Sequence, residues 1–167
     1  STNSSIKAGY SDSHTGLSFS LAMYENNITT QLTDPENAEY YDWLKEHAHE
    51  YGFIIRYPEG KESVTGVSNY AYAFRYVGVP HATYMYTNNL CLEEYIDYLK
   101  TNSSFDSKLS VTDDGGHTYL VYYTPSAGDI TEIKVPAAET GLDGSVKYPY
   151  TVSGTNEGGA VVTVQLN

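Results

Sequence analysis

The sequence runs to 167 residues, with 9 Lys+Arg against 21 Asp+Glu and a formal net charge of -12. That length supports one domain, or one domain with a small appendage. A 40% hydrophobic share with only 18% charged residues predicts a real core rather than a disordered chain. The acidic balance argues against nucleic acid and anionic membranes as partners, since both select Lys/Arg patches. No apolar run approaches the ~20 residues that span a bilayer, so no membrane insertion is expected of this chain. The single cysteine, Cys91, excludes an internal disulfide framework and a Cys-rich zinc site.

In chain order, residues 1–15 are polar and read as loose. Leu17 to Met23 alternates apolar and small residues at period two, a half-buried strand. Asn27-Ile28-Thr29 has the form of a glycosylation sequon. Asp34-Pro35 predicts a helix start, with Asp34 as N-cap and Pro35 in the first turn. That helix carries Ala38, Tyr41, Trp43, Leu44 and Ala48 and is expected to end at Gly52. Phe53–Tyr57 reads as a short strand closed by the turn Pro58–Lys61, and Tyr70–Val77 as a further strand. Leu90–Lys100 predicts a second helix, with Leu92, Tyr95, Ile96 and Leu99 on one face. After about Asn102 helical patterns stop, and short β-runs follow at Thr118–Thr124, Thr131–Val135, Tyr148–Val152 and Ala160–Leu166. Asp114-Gly115-Gly116 and Ser126-Ala127-Gly128-Asp129 have hairpin-turn composition. The expected fold is α+β: a small antiparallel sheet with two or three helices over 1–102, followed by a small all-β appendage over 103–167.

Two stretches carry a resemblance. The first is Gly9-Tyr10-Ser11-Asp12-Ser13-His14-Thr15-Gly16-Leu17-Ser18-Phe19-Ser20. The second runs from Trp43-Leu44 through Tyr51-Gly52-Phe53 and Arg56-Tyr57-Pro58 to Phe74-Arg75-Tyr76-Val77-Gly78, with Leu92-Glu93-Glu94-Tyr95 following. Over roughly residues 9–100 the chain resembles the VanY-type zinc D-alanyl-D-alanine carboxypeptidases, which trim peptidoglycan stem peptides. The resemblance implies zinc held by a His and an Asp from the first motif and a His from the second, with a Glu as general base. Carried over position by position, the first His falls on Ser13, the Asp on Ser20, the base on Tyr70 and the last His on Ala73. Zinc in a hydrolase needs three N/O/S ligands plus a water whose pKa falls to about 7. Serine hydroxyls do not ionise at neutral pH, Ala73 has no donor, and a phenol with an ordinary pKa near 10 is no carboxylate base. The sequence therefore predicts no catalytic residue, no metal ligand and no cofactor, although zinc is what the family would bring. An N-terminal segment that grips substrate in the family is also expected to be missing.

Other residues invite a functional reading and have a plainer one. Asp12 and His14 flank the Ser13 position, but strand alternation should turn His14 away from the side that Ser13 faces. His47 and His49, two residues apart on a helix, lie about 200° apart and cannot share a metal. His49 and His81 read as packing residues, and His117 near Asp113 and Asp114 as part of a solvated turn. Cys91 reads as a small buried hydrophobe, and Glu93 and Glu94 as first-turn carboxylates favoured by the helix dipole. Tyr70, Tyr72, Tyr76, Tyr84 and Tyr86 concentrate aromatic surface, either as core or as the rim of the former zinc cleft.

The reading that follows is a catalytically inactive carboxypeptidase-like protein, extracellular or associated with the cell envelope. It would bind a cell-wall peptide or an envelope protein through a cleft of Ser13, Ser20, Tyr70, Tyr72, Ala73 and Arg75. One rival is an active D,D- or L,D-carboxypeptidase with a relocated metal or a metal-free mechanism using Asp12, His14 or His81. Another is an interaction module acting through edge strands of the β appendage.

Overall fold

The computed structural model describes residues 12–68, 70–126, 132–136, 148–155 and 158–167. Gly9-Tyr10-Ser11 of the first motif, Thr131, and Ala127-Gly128-Asp129 of the expected second turn lie outside these. The chain divides into two compact units, residues 1–94 and 95–167.

In the first unit, a 3-10 turn over Asp12–Thr15 leads into β1 (Ser18–Ser20), and a hairpin follows of β2 (Ala22–Glu25) and β3 (Ile28–Gln31). The expected continuous strand from Leu17 to Met23 is thus two strands. Leu21 lies between them: its N–H still bonds the Tyr72 carbonyl at 3.1 Å in the β1–β5 register, after which Ala22 pairs with Gln31 of β3 instead. The β2–β3 hairpin turns on Asn26 and Asn27 at φ 50° and 63°, left-handed conformations that asparagine tolerates better than most residues. After a 3-10 turn at Pro35–Asn37 comes α1 (Ala38–His47), then a 3-10 turn Ala48–Tyr51 that stops at Gly52. Asp34 is not the side-chain cap; its carboxylate accepts instead from the Gln31 N–H at 2.8 Å. Gly52 sits at φ 80°, and a Cβ there would come within 2.8 Å of the Tyr76 ring and 3.0 Å of the Gly78 backbone. Only glycine serves at that close approach.

β4 (Phe53–Ile55) and β5 (Ala73–Tyr76) complete a sheet of order β1-β5-β4, antiparallel throughout. The single-turn helix α2 (Glu62–Thr65) lies between them in the chain. The expected strand from Tyr70 begins only at Ala73, because the Ala73 N–H bonds back to the Tyr70 carbonyl at 3.0 Å and closes a turn. α3 (Val79–Thr87) is a helix the sequence reading did not contain, and α4 (Leu92–Asn102) is the second helix it expected.

Register gives the sheet two unlike faces. Ser18 pairs with Arg75, Ser20 with Ala73 and Ile54 with Arg75, so these side chains share one face. Phe19, Phe53, Phe74 and Tyr76 share the other; Phe19 stacks on Phe74 at 6.2 Å and meets Phe53 edge-on at 5.6 Å. On that aromatic side Phe74 and Leu32, each 2% exposed, form a core with Ala48, to which α1 contributes Tyr41 and Leu44.

The second unit holds a four-stranded antiparallel sheet of β6 (Leu109–Thr112), β7 (Thr118–Pro125), β8 (Tyr150–Thr155) and β9 (Gly159–Gln165), in the order β6-β7-β9-β8. Asp113–His117 is the expected hairpin turn, with the Gly116 N–H bonded to the Asp113 carbonyl. The residues 132–136 are not a strand. Ile133 and Val135 pack instead against the Tyr122, Val162 and Val164 core, and the Tyr122 hydroxyl donates to the Lys134 carbonyl. No described helix is long and apolar enough to cross a membrane.

Candidate functional site

The non-aromatic sheet face carries the positions that the resemblance assigns to zinc. Ser20 and Ala73 are direct cross-strand partners on adjacent strands, which sets their Cβ atoms about 5 Å apart. Arg75, two residues on from Ala73, lies on the same face. The first motif is brought there by charge: Asp12 forms an ion pair with Arg75 Nη1 at 3.2 Å and accepts a hydrogen bond from Arg56 Nε. Residues 12–15 form a 3-10 turn, not a strand. The expectation that His14 points away by strand alternation therefore has no basis here; His14 is simply exposed, as is Ser13.

Arg56 is the hub. Only 11% of its side chain is exposed, and besides Asp12 it grips Glu93 with both terminal nitrogens, at 2.7 and 3.2 Å. Its guanidinium also lies 4.6 Å over the Tyr57 ring. The neighbouring carboxylate, Glu94, takes Lys61 Nζ at 2.8 and 3.0 Å and the Cys91 N–H at 2.9 Å, half of a capping box. The Lys61 bond, then the Cys91 N–H, hold the Glu94 carboxyl below its ordinary range. Glu93 and Glu94 are thus ion-pair anchors as well as first-turn helix carboxylates.

The tyrosines divide. Tyr70 and Tyr72 stack at 5.0 Å, and Tyr70 meets Tyr57 edge-on at 6.2 Å, which links it to the Arg56 side of the sheet. Tyr72 packs against the Leu32–Phe74 core on the opposite side. Burial pushes its phenol above its ordinary pKa, so it stays protonated at neutral pH. Of the six expected cleft residues, Ser20, Ala73 and Arg75 are brought together on one face, while Tyr72 belongs to the core side.

The residues present do not fit a zinc ion. The paired positions offer a hydroxyl and a methyl, Ser13 adds another hydroxyl, and the nearby carboxylate of Asp12 is taken by two guanidinium groups. The face does hold an unused polar group: the Ser18 hydroxyl is buried with no hydrogen-bond partner among the described residues.

The remaining histidines lie elsewhere. His47 bonds to Glu50 at 2.7 Å and stacks on Trp43, and His49 is buried flat against Tyr86, with ring centroids 3.9 Å apart. His117 pairs with Asp113 in the β6–β7 turn at 3.1 Å. Cys91 is buried, and burial raises its thiol pKa. His81, on the first turn of α3, keeps some residue surface near solvent, yet its imidazole is enclosed and desolvation lowers its pKa to about 4. In the unfolded chain the ring titrates near 6.5, so between these values the unfolded state binds the extra proton. Stability should therefore be full above pH 6.5, fall as the pH drops toward 4, and level off below. The loss attributable to His81 is about 3 kcal/mol. Urea unfolding of natural and His81→Gln chains across this range checks it; parallel pH profiles would refute it.

Comparison with known proteins agrees with this architecture. Residues 1–79 match the D-alanyl-D-alanine carboxypeptidase family VanY. A D-alanyl-D-alanine carboxypeptidase of Enterococcus faecium is 36% identical over 159 residues, 95% of this chain and 45% of the relative. One from Enterococcus faecalis strain ATCC 700802 / V583 is 51% identical over 59 residues, 35% of this chain and 22% of the relative. The chain thus spans less than half the length of these relatives. The crystal structure of the vancomycin-resistance D,D-dipeptidase VanXYg, in complex with a D-Ala-D-Ala phosphinate analog, superposes with a TM-score of 0.78 at 31% identity. That match covers 93% of this chain and 58% of the other. Likeness therefore reaches past residue 100, where the motif-based resemblance stopped, and into the β unit. The chain is thus similar to the VanY D-alanyl-D-alanine carboxypeptidases in sequence over residues 1–79 and to the VanXYg dipeptidase in fold over most of its length.

Proposed function

We propose that this chain is a non-catalytic member of that carboxypeptidase family that binds a cell-wall stem peptide at the cell envelope. The cleft would use Ser13, Ser20, Ala73 and Arg75, with Tyr70 at its rim. The observation that carries the reading is the Ser20–Ala73 pair, a hydroxyl facing a methyl where a metalloenzyme needs two ligands. The unpaired, buried Ser18 hydroxyl and the Arg75 guanidinium supply polar groups for a peptide on the same face. The rival with a relocated metal is disfavoured, because Asp12 is neutralised by Arg56 and Arg75 and His81 is enclosed. A role for the β unit in assembly finds support in the edge strand β8, exposed from Tyr150 to Gly154.

Calorimetry with zinc alone and with a muropeptide bearing the full pentapeptide stem tests the reading. The expected result is saturable muropeptide binding that is indifferent to zinc and to chelator. Release of terminal D-Ala at a rate rising with added zinc would refute it.

A further inference from the structure

On the other side of the sheet from the former zinc positions, an open groove of 430 Å³ runs between α1 and the β2–β3 hairpin. Its floor is Leu21, Met23 and Leu44, which also touch the Leu32–Phe74 core. Tyr40 and Trp43 line it while staying 56% and 51% exposed, an unusual amount of aromatic surface to leave in water. Its one charged lining residue is Glu39. Glu39 and Trp43 stand one helical turn apart and share a face of α1, and Tyr40 is the residue beside Glu39. The Glu39 carboxylate has no ion pair or hydrogen bond among the described residues, and the nearby cation Lys45 is taken by Asp42 at 2.6 Å.

We infer that this groove is a second binding site, for a peptide segment that presents a lysine side chain between aliphatic residues. The apolar floor takes the aliphatic groups. An ammonium group over Trp43 or Tyr40 gains cation–π attraction, and Glu39 supplies the counter-charge. Complementarity selects this occupant over others. An anionic membrane surface is repelled by a chain of net charge -12, and a second copy brings 21 acidic against only 9 basic residues. The site is independent of the muropeptide reading, because its lining packs against Phe74, whose side chain lies on the face opposite Ala73.

Trp43 is the only tryptophan and lines this groove, so its emission reports on occupancy there. The experiment titrates the full chain with acetyl-Leu-Lys-Leu-amide, using fluorescence and calorimetry in parallel. Saturable binding is expected. It should weaken about five- to tenfold when norleucine replaces the lysine, or in Glu39→Gln, whose exposed position leaves folding intact. Trp43→Leu, followed by calorimetry, should weaken it by a similar factor. Absence of saturation by about 5 mM peptide overturns the inference, as does equal affinity for the norleucine or glutamate analogue. So does Glu39→Gln binding as tightly as the natural chain, or a concentration-dependent rise in mass by light scattering that competes with the peptide and marks a second copy as the occupant.

Discussion

A chain carrying Ser13→His, Ser20→Asp and Ala73→His together is expected to bind zinc at least about a thousandfold more tightly than the natural sequence. The geometry behind this is the β1–β5 register. Ser20 and Ala73 face each other across one strand pair, so an Asp and a His placed there could converge on one ion at about 2 Å each. Ser13 lies next to Asp12, which Arg75 draws toward that same face, and a His there would be the third ligand. Imidazole and carboxylate offer deprotonated donors at neutral pH, whereas hydroxyl and methyl groups do not. Competition against a chromogenic chelator measures the gain. Adding Tyr70→Glu supplies a carboxylate base, and only that fourfold variant should release D-Ala from a pentapeptide stem. If the natural chain already holds one equivalent of zinc after dialysis, the assignment of these positions is wrong. A triple variant that is folded by circular dichroism yet blind to zinc would sink it equally.

The helix over 92–102 was legible because its apolar residues recur at helical spacing and two glutamates open it. The β7 and β9 strands were legible because valine, tyrosine and threonine alternate there between turn residues. What escaped was decided by contacts distant in sequence. The strand that is continuous in the text divides at Leu21 because the chain before it pairs with β5 and the chain after it with β3. Tyr70–Tyr72 have strand-like spacing, but the backbone turns to start β5 at Ala73. α3 mixes Pro80, Thr83 and two tyrosines, weak helix formers individually, and its stability comes from burying Ala82, Thr83 and Met85. The Asn26-Asn27 turn did carry a readable signal, since paired asparagines suit a two-residue hairpin loop.

The positions that the resemblance assigns to zinc could be marked in the sequence, since that needs only motif alignment. The clamp that shapes their face could not. Arg56 lies 44 residues from Asp12 and 37 from Glu93, and no local periodicity relates them. The signal available was the run Arg56-Tyr57-Pro58 and the pair Glu93-Glu94, both present in the resemblance without a stated role. Long-range ion pairs of this kind are invisible to pattern reading, yet they fix which face the first motif covers.

Removing that hub should have the largest effect on stability of any polar substitution in the first unit. Arg56→Met keeps much of the aliphatic volume and leaves Asp12 and Glu93 without their main partner. Breaking one side of a buried ion pair costs about 3–5 kcal/mol. Asp12 and Glu93 remain 22% and 31% exposed and can recover some hydration, which lowers the expected loss to about 2–4 kcal/mol. Arg56→Lys retains the charge but cannot hold Glu93 through two nitrogens while reaching Asp12 through a third, so about half of the loss should persist. Combining Arg56→Met with Glu93→Gln removes the stranded carboxylate, and the double variant should lose at least about 1 kcal/mol less than the two single losses summed. Urea unfolding of the natural chain and the four variants at neutral pH measures all three quantities. The pairs tie the 12–15 turn, the end of β4 and the start of α4 to one guanidinium, so the loss should appear as a lower midpoint with an unchanged slope. A loss under about 1 kcal/mol for Arg56→Met, or strict additivity in the cycle, would mean that solvent screens the network as it does a surface pair. The vacated face would then owe its shape to the β1–β5 backbone ladder alone.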